Sequence, residues 1–372
     1  MHTFGKNLCW LLLIFLFSFS PFMCNVGLAE NIWSAVAPLD IARSKVGVAI
    51  VDNVIYAIGG YNGEYLGIVE AYNPLTNTWI TKTSMPTPRS GFVIAAVQKK
   101  IHIIGGHTES VHSTGIHEVY DTTTDTWTTE NSSPLIGRNG LDANVVNGKI
   151  HIISGGTSPF RPWPNTNSND VYDPETNTWT TKNPIPISVY DYSSLVFDDE
   201  IYIIGGRDIS ANKSYALTQI YNPKTDSWRS GTSLPFVLSG AVGVATSGIA
   251  AEKMIYLFNG YVCENNGGTY YSETVYQTQV YEPEQKVWTN NTNILNRTDF
   301  GLAVNNDVLY AIGGYNGEDY LRLTEKYVPS NVDVTPTPEP ERTSLVIYVA
   351  ILIITFLVFG ISLFVYSKKR KN

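Results

Sequence analysis

The chain has 372 residues, 43% of them hydrophobic, with 23 Tyr, 30 Gly and a formal net charge of −8. This is ample apolar material for a core, and the Tyr- and Gly-rich balance suits many short strands and turns rather than long helices. The acidic excess argues against nucleic acid as a partner.

Residues 1–29 read as a signal peptide: Lys6 supplies a positive start, Leu8–Phe19 is apolar, and Gly27-Leu28-Ala29 offers small residues for cleavage. Cys9 and Cys24 would leave with it, so Cys263 stays alone and is expected to be a buried small hydrophobe.

From Asn31 to Tyr327 one unit recurs. An apolar strand runs into a small pair at Gly59-Gly60, Gly105-Gly106, Gly155-Gly156, Gly205-Gly206, Asn259-Gly260 and Gly313-Gly314. A polar loop follows, then a short strand ending in Tyr (Glu70-Ala71-Tyr72 in the first copy), a tight turn, and a Trp at 79, 127, 179, 228 and 288. A period near 50 residues with four short strands per copy is the pattern of a propeller. His102 and His151 stand where Tyr56, Tyr202, Tyr256 and Tyr310 stand in other copies, so they read as repeat positions. The sixth copy lacks its Trp strand, whereas residues 31–39 hold an orphan strand with Trp33. Placing Trp33 beside Tyr327 lets the first residues complete the last blade and removes an exposed seam.

These residues resemble the kelch repeat family, in which a Gly pair follows the second strand and a spaced Tyr and Trp follow the third. The resemblance covers about 300 residues and implies an all-β fold. The fold class expected is a six-bladed kelch-type β-propeller over 30–328, closed by the N-terminal strand, plus one C-terminal transmembrane helix.

After the propeller, 329–343 contains alternating Pro and reads as an extended stalk. Residues 344–366 form an uncharged run long enough to span a bilayer, and 367–372 is a basic tail, which favours a cytoplasmic C-terminus. The expected product is a single-pass membrane protein with an extracytoplasmic propeller. Setting aside Lys6 and Lys368–Lys371 leaves 20 Lys and Arg against 33 Asp and Glu, so the exposed part is more acidic still. Asn131, Asn212, Asn290 and Asn296 head glycan acceptor triplets.

In an antiparallel four-stranded blade, with strands a to d counted outward, a–b and c–d turns share one face. The b–c loops and d–a connections share the other. The c–d turns are short and alike, whereas the b–c loops are long and individual, so binding is expected on the b–c/d–a face. Arg43, Arg89, Arg138 and Arg297 recur in four d–a connections, with Tyr190 in a fifth. In the kelch family this connection often contributes to a surface around the central channel. Guanidinium groups there would suit a carboxylate, making an extracellular protein or acidic glycan the expected partner. The alternative is that each Arg pairs with a neighbouring acid and only fixes its loop. Arg207 and Trp163, with Phe160, Tyr270, Tyr271, Tyr315 and Tyr320, add loop side chains suited to protein or sugar contacts.

No cofactor or metal is expected: His107, His112 and His117 match no strong ligand spacing, and a lone Cys gives thin support to the copper-radical chemistry some kelch propellers carry. A second function remains open. Six-bladed kelch proteins outside the cytoplasm include sialic-acid mutarotases, whose acidic sugar would suit the Arg set, although no catalytic carboxylate stands out by motif.

Overall fold

The computed structural model describes residues 33–329 except 112, 131–137, 158–164, 267–268 and 292–294. The expected signal peptide, nearly all of the stalk, the transmembrane helix and the basic tail lie outside the described residues, as do Trp163 and Asn131. Among the described residues no helix is long and apolar enough to cross a membrane.

Six four-stranded antiparallel sheets form the blades. Blade 1 is Gly47–Val51, Val54–Ile58, Val69–Asn73 and Thr78–Lys82; blade 2 is Val93–Val97, Lys100–Ile104, His117–Asp121 and Thr126–Thr129. Blade 3 is Ala143–Val146, Lys149–Ile153, Asn169–Asp173 and Thr178–Thr181; blade 4 is Ser193–Phe197, Glu200–Ile204, Thr218–Asn222 and Ser227–Ser230. Blade 5 is Val242–Ala245, Ile255–Phe258, Thr278–Glu282 and Val287–Asn291. Blade 6 takes Gly301–Asn305, Val308–Ile312 and Thr324–Tyr327 from the end of the repeat and Trp33–Ala35 from its beginning. Each inner strand packs on the inner strands of both neighbouring blades, so the ring is closed.

The closure is the one the sequence implies. Trp33 pairs with Tyr327, Ser34 with Lys326 and Ala35 with Glu325.

Burial follows strand position. Inner strands alternate between buried and half-buried residues, as in Gly47–Val51, whereas second strands such as Val54–Ile58 are covered on both faces and read as unbroken apolar runs. Outer strands such as Thr78–Lys82 are largely exposed. The apolar core is divided among the blade junctions: Tyr56, Ile58 and Val69 of blade 1 meet Ile101, Ile103 and Tyr120 of blade 2 in one cluster, and the other junctions have their own.

The repeated Tyr and Trp are junction residues. Tyr72 lies 5.0 Å from Trp79, its hydroxyl donates to Asn77 Oδ1 at 2.8 Å, and Trp79 Nε1 donates to the Ala37 carbonyl of blade 6 at 2.8 Å. The turn residue Asn77 takes a left-handed conformation (φ 54°), which Asn and Asp tolerate better than most residues. Tyr120, Asp125 and Trp127 repeat the arrangement one blade on. His102 and His151 are buried in the Tyr places, as expected of repeat positions.

One register needs correction. In blade 3 the pair equivalent to Gly59-Gly60 is Ser154-Gly155, not Gly155-Gly156. Ser154 (φ 59°) and Gly155 (φ 95°) carry the positive dihedrals, and Gly156 does not. Ser154 holds this conformation while its hydroxyl accepts from the Val189 amide and has the Thr166 and Val189 carbonyls as acceptors for its one proton.

Candidate functional site

The four arginines are built into the wall rather than presented to a ligand. Arg43, Arg89 and Arg297 are at most 2% exposed and Arg138 is 7%. Arg43 Nη1 meets the Glu70 carboxylate and donates to the Ile41 carbonyl at 3.1 Å, while Nη2 donates to the Ala57 carbonyl at 3.2 Å. Arg89 does the same with Glu118, Thr87 and Ile103. Arg138 pairs with Asp170 at 2.5 Å and forks onto the Ser154 carbonyl; Arg297 pairs with Glu325 at 3.0 Å and donates to Leu323 and Ala311. The expectation of an open cationic surface from Arg43, Arg89, Arg138 and Arg297 is therefore corrected: each charge is engaged by an acid of its own blade. Burial lowers the pKa of Arg43 and Arg89 and draws Arg297 down to about 10, leaving it charged at neutral pH.

Their backbones hold the ring together. The Arg43 carbonyl accepts the Gly314 amide of blade 6 at 2.9 Å, and the Arg89 carbonyl accepts the Gly60 amide of blade 1 at 3.2 Å. Blades 4 and 5 make the same inter-blade bond through Val189 and Leu238, which accept from Gly155 and Gly206. Val189 is thus the residue in the arginine place, and Tyr190 sits one position later than the sequence alignment put it.

The partners were readable and were missed. Two residues before each repeated Tyr stands Glu70, Glu118, Asp170, Gln219, Gln279 and Glu325. The four blades with Arg carry an acid and the two with Val189 or Leu238 carry Gln. Gln219 closes the same connection without a charge, accepting from the Ile187 amide at 2.9 Å and donating to its carbonyl at 2.8 Å. Desolvating a carboxylate is tolerable only beside its counter-ion.

What faces the channel mouth is a different set. The first residue of each b–c loop pairs with the residue after the arginine place: Tyr61 with Ser44, His107 with Ser90, Gly156 with Asn139, Arg207 with Tyr190, Tyr261 with Ser239 and Tyr315 with Thr298. One residue further on, the d–a connections turn through left-handed residues, namely Lys45, Gly91, Gly140, Asp191, Gly240 and Asp299. Their backbones also link blades: the Lys45 amide donates to Asp299 at 2.7 Å, Asp191 to Gly140 at 2.9 Å and Gly240 to Asp191 at 2.6 Å. Gly156 leaves a gap in the ring of side chains, and the Tyr190 ring and Ile209 fill it.

Of the expected site residues, Arg207 and Tyr190 are brought together. The Arg207 guanidinium lies between two rings, 5.2 Å from the centre of Tyr190 and 5.3 Å from that of Tyr261. Its Nη2 is 3.2 Å from the Asp191 carboxylate, to which the Tyr261 hydroxyl also donates, and its Nη1 is 3.5 Å from Cys263 Sγ. The Arg207 and Asp191 side chains are 24% and 22% exposed, so the group opens onto solvent. Burial raises the Asp191 carboxyl against the pull of Tyr261 and Arg207. Asp142, just before the blade 3 inner strand, is exposed and accepts the Ser194 amide at 3.2 Å.

The other expectations fall as follows. Cys263 is buried, as read from the sequence, and accepts no disulfide partner among the described residues. Asn290 and Asn296 are exposed and Asn212 is half-buried in its loop. Among the described residues no three metal-binding side chains gather; His117 is buried in blade 2 against His102.

A profile of the KLHDC2/KLHL20/DRC7 Kelch-repeats domain matches residues 26–206, and the Kelch motif matches 188–235 and 296–331. These are kelch repeats. The kelch propeller here is 28% identical over 212 residues to Kelch-like protein 26 of Danio rerio, covering 56% of this chain and 35% of that protein. It is 27% identical over 304 residues to Kelch-like protein 23 of Homo sapiens, covering 80% of this chain and 50% of that protein. The chain thus spans half or less of these relatives. Among solved structures it is similar to YjhT, with a TM-score of 0.67 and 13% identity over 78% of this chain and 96% of that one, a likeness of fold alone.

Proposed function

We propose that this chain is a cell-surface recognition module whose kelch propeller binds a protein or glycan through the b–c/d–a face. The observation that carries it is the contrast between faces. Equivalent positions at the mouth hold Tyr61, His107, Gly156, Arg207, Tyr261 and Tyr315, whereas the c–d turns of blades 1 to 4 repeat one Asn/Asp design. Variation concentrated on a rigid ring is what a recognition surface needs. The proposal includes the signal peptide, the stalk, the single span at 344–366 and a cytoplasmic basic tail. The third strand of blade 6 runs away from the loop face, so Trp33 and Pro329 both lie on the c–d side. A propeller held by those ends would present its loop face outward. Glycans on Asn131, Asn212, Asn290 or Asn296 belong to the same reading.

Partner capture by the full-length chain on intact cells tests it. Arg207→Ala with Tyr261→Ala should abolish capture, and Leu75→Glu, an exposed residue of a c–d turn, should not. The reverse pattern would sink the loop-face assignment, and protease protection of the propeller in intact cells would sink the topology.

A second reading is favoured by the Asp191–Tyr261 hydrogen bond beside Arg207: an extracytoplasmic sugar enzyme of the sialic-acid mutarotase type. Mutarotation needs a proton moved on and off the ring and anomeric oxygens. An acid with a raised pKa, bonded to a phenol and flanked by a guanidinium for a sugar carboxylate, supplies those parts. Exchange NMR with an acidic sugar should show faster anomer exchange, lost in Asp191→Asn. Exchange at the buffer rate removes this reading and leaves the first.

A further inference from the structure

Two loops on neighbouring blades share a sequence that the other b–c loops lack: Tyr61-Asn62-Gly63-Glu64-Tyr65 in blade 1 and Tyr315-Asn316-Gly317-Glu318-Asp319-Tyr320 in blade 6. They flank the junction between blades 6 and 1, which the connection from Trp33–Ala35 to Gly47–Val51 crosses. In each, the first Tyr bridges the last. The chain then returns through the Leu66 amide to Gly60 at 3.0 Å, and through Leu321 to Gly314 at 2.9 Å. Asn316 Oδ1 accepts the Glu318 and Asp319 amides, and the tips turn through Gly63 (φ 107°) and Gly317 (φ 101°). The loops are short and self-braced, so little order has to be gained on binding.

Their rings meet across the junction. Tyr65 lies 5.2 Å from Tyr61, Tyr61 is 5.9 Å from Tyr320, and Tyr320 is 5.3 Å from Tyr315. All four are half-buried, so a continuous aromatic strip reaches solvent. Around it Glu64, Glu318 and Asp319 are exposed, and Glu109 is close enough to act on Tyr65. The nearby cations are fewer: Lys45 at the mouth, and Arg322, whose Nε donates to the Leu39 carbonyl. With Arg43 and Arg297 neutralised inside the wall, this side of the face presents acid and aromatic surface.

We infer that this tyrosine strip with its acidic tips seats a basic peptide segment of a partner protein, a lysine or arginine side chain lying against the ring faces. The inference rests on the loop-face reading and reverses the charge that the arginines suggested for the ligand. Ring faces attract cations, and exposed carboxylates steer them in and set orientation. A choline headgroup has similar chemistry. However, the chain ends leave from the opposite face, so a membrane holding the protein would lie behind the propeller.

Fluorescence anisotropy of labelled hexalysine and hexaglutamate with the full-length chain tests this. Hexalysine should bind, more weakly as salt rises, and hexaglutamate should not. Glu64→Gln with Glu318→Gln and Asp319→Asn should weaken hexalysine about tenfold. Tyr65→Leu with Tyr320→Leu should weaken it about fivefold at unchanged charge. Both sets alter loop side chains outside the apolar clusters of the blade junctions, and an unchanged far-UV spectrum and urea midpoint check the fold. Tighter binding of hexaglutamate, indifference of hexalysine to both sets, or its displacement by phosphatidylcholine vesicles would overturn the inference. Hydrogen exchange separates the two levels. Protection by hexaglutamate around Arg207 and Tyr261 refutes the basic-peptide seat and keeps the loop face; protection of the c–d turns by either peptide refutes both.

Discussion

Trp33 packs edge-on against Phe258 at 5.4 Å and lies tilted over Tyr327 at 5.5 Å, so the first strand of the propeller seals the junction between its fifth and sixth blades. The ring is held shut by the two ends of the repeat array meeting in one sheet.

That junction should be a weak point. Trp33→Ala is expected to lower stability by about 2–3 kcal/mol, because a large half-buried ring is removed from an aromatic cluster. Deleting the strand would bare the outer edge of Thr324–Tyr327 and invite edge-to-edge association. Urea unfolding and size-exclusion chromatography measure these; an unchanged midpoint in Trp33→Ala would show that closure does not depend on the ring.

The arginine–acid pairs should behave as units. Glu118→Gln alone strands the buried Arg89 charge and is expected to cost about 3 kcal/mol. Arg89→Leu with Glu118→Gln copies the Leu238–Gln279 pairing of blade 5 and should recover most of that loss. A double-mutant cycle in urea reads the coupling. Additive losses would refute charge matching as the reason for the Arg/acid and apolar/Gln pattern.

Acid should loosen the ring through its histidines. Burial pushes His102 and His151 down to about 4, so both are neutral in the fold, while an unfolded chain protonates them near the usual histidine value. The unfolded state binds more protons between those values. Stability is therefore complete above about pH 6.5 and falls as pH drops toward 4, by up to about 3 kcal/mol per histidine. His151→Tyr, the residue of four other blades, should remove its share of the slope. Thermal melts from pH 7 to 4 decide; parallel curves for the variant and the parent would contradict the assignment.

Asp307 clasps the blade 5 a–b turn. Its carboxylate accepts amides from Ser247 at 2.5 Å, Ile249 at 3.1 Å, Ala250 at 2.8 Å and Ala251 at 3.1 Å. Burial alone would raise this carboxyl, and those amides hold it lower instead. Its contribution is present above the ordinary carboxylate range and lost as pH falls through the lowered value. Asp307→Asn should cost about 2 kcal/mol and speed amide exchange at 247–251. Unchanged exchange there would show that the turn holds itself.

Much of the fold was legible because each repeat must bury the same positions. The Tyr and Trp positions and the pairing of Trp33 with Tyr327 came directly from spacing. The blade 3 register did not, since Ser154 takes a left-handed conformation usually left to Gly, and a spare Gly156 follows it. The site was less legible. Arg recurrence was visible, but four like charges in a row of connections look the same whether they face water or a buried acid. Only Glu70, Glu118, Asp170 and Glu325, two strands further along the chain, separate the two.

The sequence alone determined a repeated four-strand unit, its count and its closure, because alternating burial and turn chemistry are local and repeat in register. Only the tertiary structure decided which side chains the ring consumes and which it presents. Folding within a blade places Arg43 against Glu70 and Arg89 against Glu118 in the wall, while Tyr190, Asp191 and Arg207 of blade 4 meet Tyr261 of blade 5 at the mouth. Such meetings depend on packing between distant segments, and no spacing along the chain encodes the distance between Tyr61 and Tyr320.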